Sequence, residues 1–114
     1  MALNTVTPKR LCDAHYITNA YATAYTVPAS TKAIVKALVL CNTDTSARTV
    51  SIRVVPSGET AADEHCIFKD LSIAAKTTYH VGDMSMVLEA DEDVDVIADT
   101  TNKVTIRLSG VEIA

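Results

Sequence analysis

This sequence predicts an all-β fold: an antiparallel β-sandwich or jelly-roll-like arrangement of eight or nine short strands, with a short N-terminal arm. Three observations lead there. The chain holds 13 Val, 8 Ile and 15 Thr against one Phe and no Trp, and β-branched side chains, stiff at χ1, suit a pleated, half-buried surface. Apolar and polar residues alternate at period two in several short runs, which sets one face of each run inside and the other in water. Turn-forming residues separate the runs at intervals of roughly ten, the spacing of sandwich strands.

At 114 residues the chain is of single-domain size and can bury about two-thirds of its unfolded surface without metal or disulfide. Residues 1–20 are expected as an N-terminal arm or edge segment running over a neighbouring subunit, and residues 21–114 as the sandwich domain. Pro8 ends any regular element begun before it. Residues 21–27 alternate, with Tyr21, Thr23, Tyr25 and Val27 on one side and the small residues between them on the other, so a strand is expected there, stopping at Pro28.

The segment 32–56 organises the rest. Residues 32–41 are apolar on both faces, whereas 48–55 alternate Val50, Ile52 and Val54 with Thr49, Ser51 and Arg53. The polar stretch 42–47, NTDTSA, is turn chemistry, because Asn, Asp, Ser and Thr side chains bond their own backbone. A central β-hairpin with a wet loop at its tip is the expectation. Ser57 is expected to cap a single helical turn through 61–64. Strands follow at 65–73, 77–81 and 84–89, with Gly82–Asp83 as a hairpin-type turn. The last two strands are 94–99 and 103–113, joined by a turn at 100–102. In the final strand Val104, Ile106 and Leu108 hold even positions, while Val111 and Ile113 hold odd ones. A straight strand with that pattern would turn part of its apolar set to water, so a bulge or bend is expected at Gly110.

Composition excludes some functions. The net charge is −4 and the isoelectric point about 5.2, so no basic face suits nucleic acid. No run reaches the length of a membrane span, and the first 16 residues lack the apolar stretch of a signal peptide. Synthesis in the cytoplasm as a soluble chain is expected. Cys12, Cys41 and Cys66 are odd in number and form no CxxC pair, which reads as buried free thiols made in a reducing compartment.

No metal, cofactor or catalytic residue is expected. The acidic run 89–95 is no EF-hand: counting from Asp91, Val96 stands where Gly is needed and Asn102 where a bidentate Glu is needed. His15, His65 and His80 lack the paired spacing of zinc ligands. Cys41 and Cys66 lie in apolar strands rather than beside a base. The candidate partner-interface residues are Tyr16, Tyr21 and Tyr25, since tyrosine offers an apolar body with a polar tip.

Residues 17–113 carry, in order, ITNAYATAYTVPAST, TKAIVKALVLCNT, ARTVSIRVVPSGETAADEH, FKDLSIAAKTTYHV, MVLEADEDVDV and VTIRLSGVEI. In this order they resemble small tailed-bacteriophage virion structural proteins. The resemblance implies a non-enzymatic β-sandwich that works as a symmetric homo-oligomer and resides in the virion; a trimer is the assembly expected here. Which part of the particle the chain forms is left open by the resemblance. A compact domain with no coiled coil, collagen-like repeat or separate anchoring module suits a capsid decoration (cement) protein, stabilising the head by subunit–subunit contacts, better than a long fibre. A neck, collar or tail-fibre component is the alternative, and a host-surface binding module a further one. The implied partners are other virion proteins, either the major capsid protein or neck and tail proteins, with no nucleic acid and no membrane.

Overall fold

The computed structural model describes residues 5–82 and 84–114; residues 1–4 of the expected arm and Asp83 of the expected hairpin turn lie outside the described residues. Nine strands are found among those described: β1 (Val6–Tyr16), β2 (Ala22–Thr26), β3 (Lys32–Asn42), β4 (Arg48–Val55), β5 (Cys66–Ile73), β6 (Thr78–Val81), β7 (Met86–Leu88), β8 (Asp93–Ala98) and β9 (Val104–Ile113). They form two antiparallel sheets. One runs β1-β9-β3-β6, with β7 also paired to β3, and the other runs β2-β8-β4-β5. The all-β sandwich is therefore as the sequence predicts.

The core lies between the sheets. Val35, Leu38 and Leu40 of β3 and Ile106 of β9 face Val50 and Ile52 of β4 and Val94 and Val96 of β8, each at most 1% exposed. Each such side chain contributes about 1.5–3 kcal/mol by leaving water. With few aromatics available, one edge-to-face pair bridges the sheets at the side, Phe68 of β5 against Tyr79 of β6, with ring centroids 5.8 Å apart.

Pairing differs from the expected hairpins. β3 does not pair with β4: it lies between β9 and the β6/β7 edge, while β4 lies between β8 and β5 in the opposite sheet. The polar segment after β3 thus carries the chain across the sandwich. Asn42 explains how: wholly buried, it donates through Nδ2 to the carbonyls of Ser46 (2.9 Å) and Ile73 (3.0 Å) and accepts from the Asp44 amide at 3.0 Å. β8 and β9 likewise belong to different sheets. Nor do β6 and β7 form a hairpin. Both run antiparallel to β3, β6 against 38–41 and β7 against 33–35, as one edge strand interrupted near Gly82.

The expected bulge falls on the neighbours of β9 rather than on β9. Val35 pairs with Gly110 and Ala37 with Ser109, which leaves Lys36 as the extra residue of β3. On the other side, Arg10 pairs with Ser109 and Cys12 with Leu108, leaving Leu11 extra in β1. Gly110 is required here for space: a Cβ on it would stand 2.0 Å from the Ile34 carbonyl oxygen. Its inward neighbours along β9 are Leu108 and Glu112, so Val111 and Ile113 face outward.

Of the segment 1–20, residues 6–16 form the edge strand β1 along the chain's own β9, and Leu11, Cys12 and Ile17 enter the core. Ser57 caps no helix. It sits in a turn closed by Glu59 N–H to Pro56 O, with Gly58 at φ +79°. The short 3₁₀ turn that follows, Asp63–His65, has Ala62 at its N-cap, and His65 Nδ1 accepts the Ala62 N–H at 3.1 Å.

Candidate interaction surfaces

The outer face of the five-stranded sheet follows from its register. Paired residues share a face, so Pro8, Val111, Ile34 and Val87 form a row across β1, β9, β3 and β7, and Val6, Ile113 and Lys32 form the next. Two of these apolar side chains are wide open to solvent, Val6 at 59% and Val87 at 56%. Singly exposed apolar residues are ordinary, but a contiguous row is the mark of a contact surface. Further along the same face stand Arg10, Arg107, Lys36 and Tyr16. An open depression of about 430 Å³ there is lined by Pro8, Lys9, Arg10, Arg107, Ser109 and Gly110.

Beside the apolar row, at the sandwich end, a second hollow of about 270 Å³ is lined by Thr31, Lys32, Glu89, Ala90, Ile113 and Ala114 among others. The Lys32–Glu89 ion pair, 3.6 Å apart and well exposed, crosses its rim. Such a pair contributes little on its own.

The outer face of the four-stranded sheet has a different character. Asp93 and Asp95 of β8 accept hydrogen bonds from Thr26 (2.7 Å) and Thr23 (3.0 Å). Arg53 of β4 lies 3.6 Å from Asp95 and stacks its guanidinium over the Tyr21 ring, 3.6 Å from the centroid. Asp70 of β5, at φ +51°, receives the Ser51 hydroxyl on its carboxylate and donates its own N–H to Ser51 Oγ at 2.8 Å.

The three candidate tyrosines therefore part company. Tyr16, 46% exposed, is on the outer face of the five-stranded sheet. Tyr21 is on the opposite outer face under Arg53, with burial raising its pKa and the Cys66 thiol adding to the rise. Tyr25 points inward, 8% exposed, with its hydroxyl engaged by Glu112.

The acidic run is a turn between β7 and β8, clasped by Val27: the Asp91 N–H donates to Val27 O and the Val27 N–H to Glu92 O, both at 3.0 Å. Asp91 takes φ +65°, a left-handed position that Asp tolerates. Among the described residues no three His, Cys, Asp or Glu side chains gather as metal ligands do.

Cys12 is buried as expected, but Cys41 and Cys66 are only half-buried and lie on the two outer faces. The buried Cys12 sits 3.5 Å from His15 Nδ1. That nitrogen is also 2.8 Å from the Asp13 carbonyl oxygen, which can only accept. Nδ1 must therefore carry the proton and cannot take one from the thiol. Burial and the Asp13 charge push the Cys12 pKa up, the reverse of what a nucleophile needs.

Of the outward-facing set, the sequence marks neither Ile34 nor Val87. The signal was present in the odd placement of Val111 and Ile113, which marks an apolar outer face rather than a kink in the strand.

No family model matches this sequence, and no curated protein matches it. Solved structures do resemble the fold. A chain from the structure of infectious bursal disease virus, Gx strain, superposes with TM-score 0.52 at 11% identity, covering 96% of this chain and 31% of that one. A chain from the Gt strain gives 0.50 at 8% identity with the same coverage. This chain thus spans about a third of the length of those viral chains. A chain of the Bacillus endospore appendages, described as disulfide-linked pili, gives 0.51 at 14% identity, covering 98% of this chain and 88% of that one. These likenesses establish a shared β-sandwich fold.

Proposed function

We propose that this chain is a non-enzymatic structural protein of a virion: a capsid decoration protein of a tailed bacteriophage, working as a homo-oligomer, with a trimer as the assembly, and binding other virion proteins. The observation that carries the reading is the apolar row on the outer face of the five-stranded sheet, with Val6 and Val87 more than half exposed. A chain that leaves such ground open has a neighbour to cover it. The ordered resemblance over residues 17–113 gives that neighbour its setting. The solved chains sharing the fold come from a virus particle and from pili, both assemblies of protein subunits.

The test is to image phage particles with gold-conjugated antibody raised against the purified chain. Label spread over the head, together with heads that burst at lower temperature when the chain is absent, is the expected result. Label confined to the neck or tail would overturn the decoration role, and unlabelled particles would overturn the virion reading altogether.

A further inference from the structure

The two outer faces of the sandwich are opposite in sign. On the five-stranded sheet stand Arg10, Lys32, Lys36 and Arg107, of which Arg10 is paired with Asp13 at 3.0 Å and Lys32 with Glu89 at 3.6 Å. Among the described residues Lys36 and Arg107 form no salt bridge, and both are exposed. On the four-stranded sheet stand Asp70, Asp93, Asp95 and Asp99. Arg53 reaches Asp95 at 3.6 Å, whereas Arg48 is held by Asp44, with Nε at 2.7 Å, and reaches Asp99 only at 3.9 Å; among the described residues the Asp70 and Asp93 carboxylates accept only from hydroxyls. Among the described residues the five-stranded face thus keeps two cations without a salt bridge, while the four-stranded face, where Lys69 is held by Asp63 at 3.4 Å, carries more carboxylates than cations.

We propose that copies of this chain bind one another head to tail, the basic and apolar outer face of the five-stranded sheet seating on the acidic outer face of the four-stranded sheet of the next copy. The inference goes beyond a role in a particle, because the contact needs this chain alone. Like faces brought together would oppose Lys36 and Arg107 to their own counterparts, whereas unlike faces set them against Asp70 and Asp93. Complementary potentials of this kind select the partner and its orientation. The faces are large enough: the molecule measures 55 × 28 × 20 Å, and a standard interface takes about 800 Å² per partner, about half of a rectangle with the two longer sides. The edges of the five-stranded sheet suit association less well. β1 carries Pro8 and two register breaks, and the opposite edge is split between β6 and β7, devices that discourage edge pairing. A head-to-tail contact closes into a ring or extends as a filament, depending on the rotation between copies.

Sedimentation velocity on the full-length chain at low salt tests this, with three variants. Lys36→Glu/Arg107→Glu reverses the basic face and Asp70→Lys/Asp93→Lys the acidic one. Each alone is expected to sediment as a 12.2 kDa monomer, and an equimolar mixture to regain the assembly of the unaltered chain, since each variant then presents the sign the other lacks. Asp70→Asn/Asp93→Asn keeps the hydrogen-bond capacity of both side chains and is expected to weaken association at least tenfold with an unchanged circular dichroism spectrum. A monomeric unaltered chain at 1 M salt and at low salt alike, an acidic-face variant that associates as well as the original, or a mixture that stays monomeric would each overturn the proposal. Loss of assembly here with gold label still on the head would leave the decoration role standing.

Discussion

The Tyr25 hydroxyl donates to Glu112 Oε2 at 2.5 Å, and this bond ties β2 of one sheet to β9 of the other. Lys9 of β1 completes the group, 3.2 Å from Glu112 Oε1. The Tyr25 hydroxyl first, and Lys9 after it, hold the Glu112 carboxyl below its ordinary value of 4.5. Burial first, then Glu112, raises Tyr25 above its ordinary value of 10.

The sign of the pH dependence follows for each group. Glu112 binds fewer protons folded than unfolded near its ordinary value, so its contribution is present above pH 4.5 and is lost as pH falls through its lowered value. Tyr25 holds its proton more tightly when folded, so its contribution is present below pH 10 and is lost as pH rises through its raised value. Tyr25→Phe is expected to cost about 1.5–3 kcal/mol at pH 7, the range for a hydrogen bond to a charged group, and to flatten both limbs. Melting temperature against pH for the two proteins checks it: parallel curves would show that the bond carries no linkage.

Asn42 is the one wholly buried amide in the crossing between sheets, and it serves three carbonyls and one amide. Asn42→Leu removes the donors while the Ile73 and Ser46 carbonyls stay inside. Each buried acceptor left unpaired costs about 1–3 kcal/mol, so a loss of about 2–4 kcal/mol is expected. Urea denaturation, with a slope of about 1–3 kcal/mol/M, would move its midpoint down by at least about 0.7 M. A shift of a few tenths would mean that water replaces the side chain.

Two glycines separate space from conformation. At Gly110 an added Cβ meets the Ile34 backbone, which cannot swing aside, and Leu11 Cδ1 at 3.1 Å. Gly110→Ala is expected to cost about 3 kcal/mol or to prevent folding, the upper range for overpacking. Gly58, at φ +79° with nothing within 4 Å, faces only the left-handed penalty, and Gly58→Ala is expected to cost about 1–2 kcal/mol. Thermal unfolding of the two variants gives the comparison, and equal losses would refute the steric assignment at Gly110.

The strands themselves were legible because period two is a local property: Val50, Ile52 and Val54 reveal their inward face without reference to any partner. Which strands pair was not legible. NTDTSA after Cys41 says that the chain reverses, and the same residues serve a hairpin or a crossing between sheets; only the burial of Asn42 distinguishes them. The parity change at Gly110 suggests a bulge in β9, but β9 keeps one parity with Val111 and Ile113 facing outward, and the extra residues are Lys36 and Leu11 on the neighbouring strands. Register is shared between strands, so one strand's sequence cannot say which of them holds the surplus. Of the site, tyrosine chemistry pointed to Tyr16 and Tyr21 on outer faces but also to Tyr25, whose place inside depends on Glu112, 87 residues away.

Removal of residues 1–20 measures how far β1 belongs to the body of the molecule. That segment supplies Leu11, Cys12 and Ile17 to the core, at 7%, 4% and 1% exposure, and it is the strand that covers one side of β9. Burial of Leu11 and Ile17 alone is worth about 3–6 kcal/mol at 1.5–3 for each side chain, a large part of the roughly 5–15 kcal/mol that holds an ordinary domain together. The truncated chain would also bare the ladder of β9 to neighbouring copies. The expected outcome is loss of cooperative unfolding in circular dichroism, with aggregation in place of a soluble sandwich. Truncation after residue 5 spares β1 and is expected to leave the melting temperature within about 3 °C of the full chain. A soluble, cooperatively melting product lacking residues 1–20 would show instead that the segment is a detachable arm, free to cover the β9 of a neighbour as readily as its own.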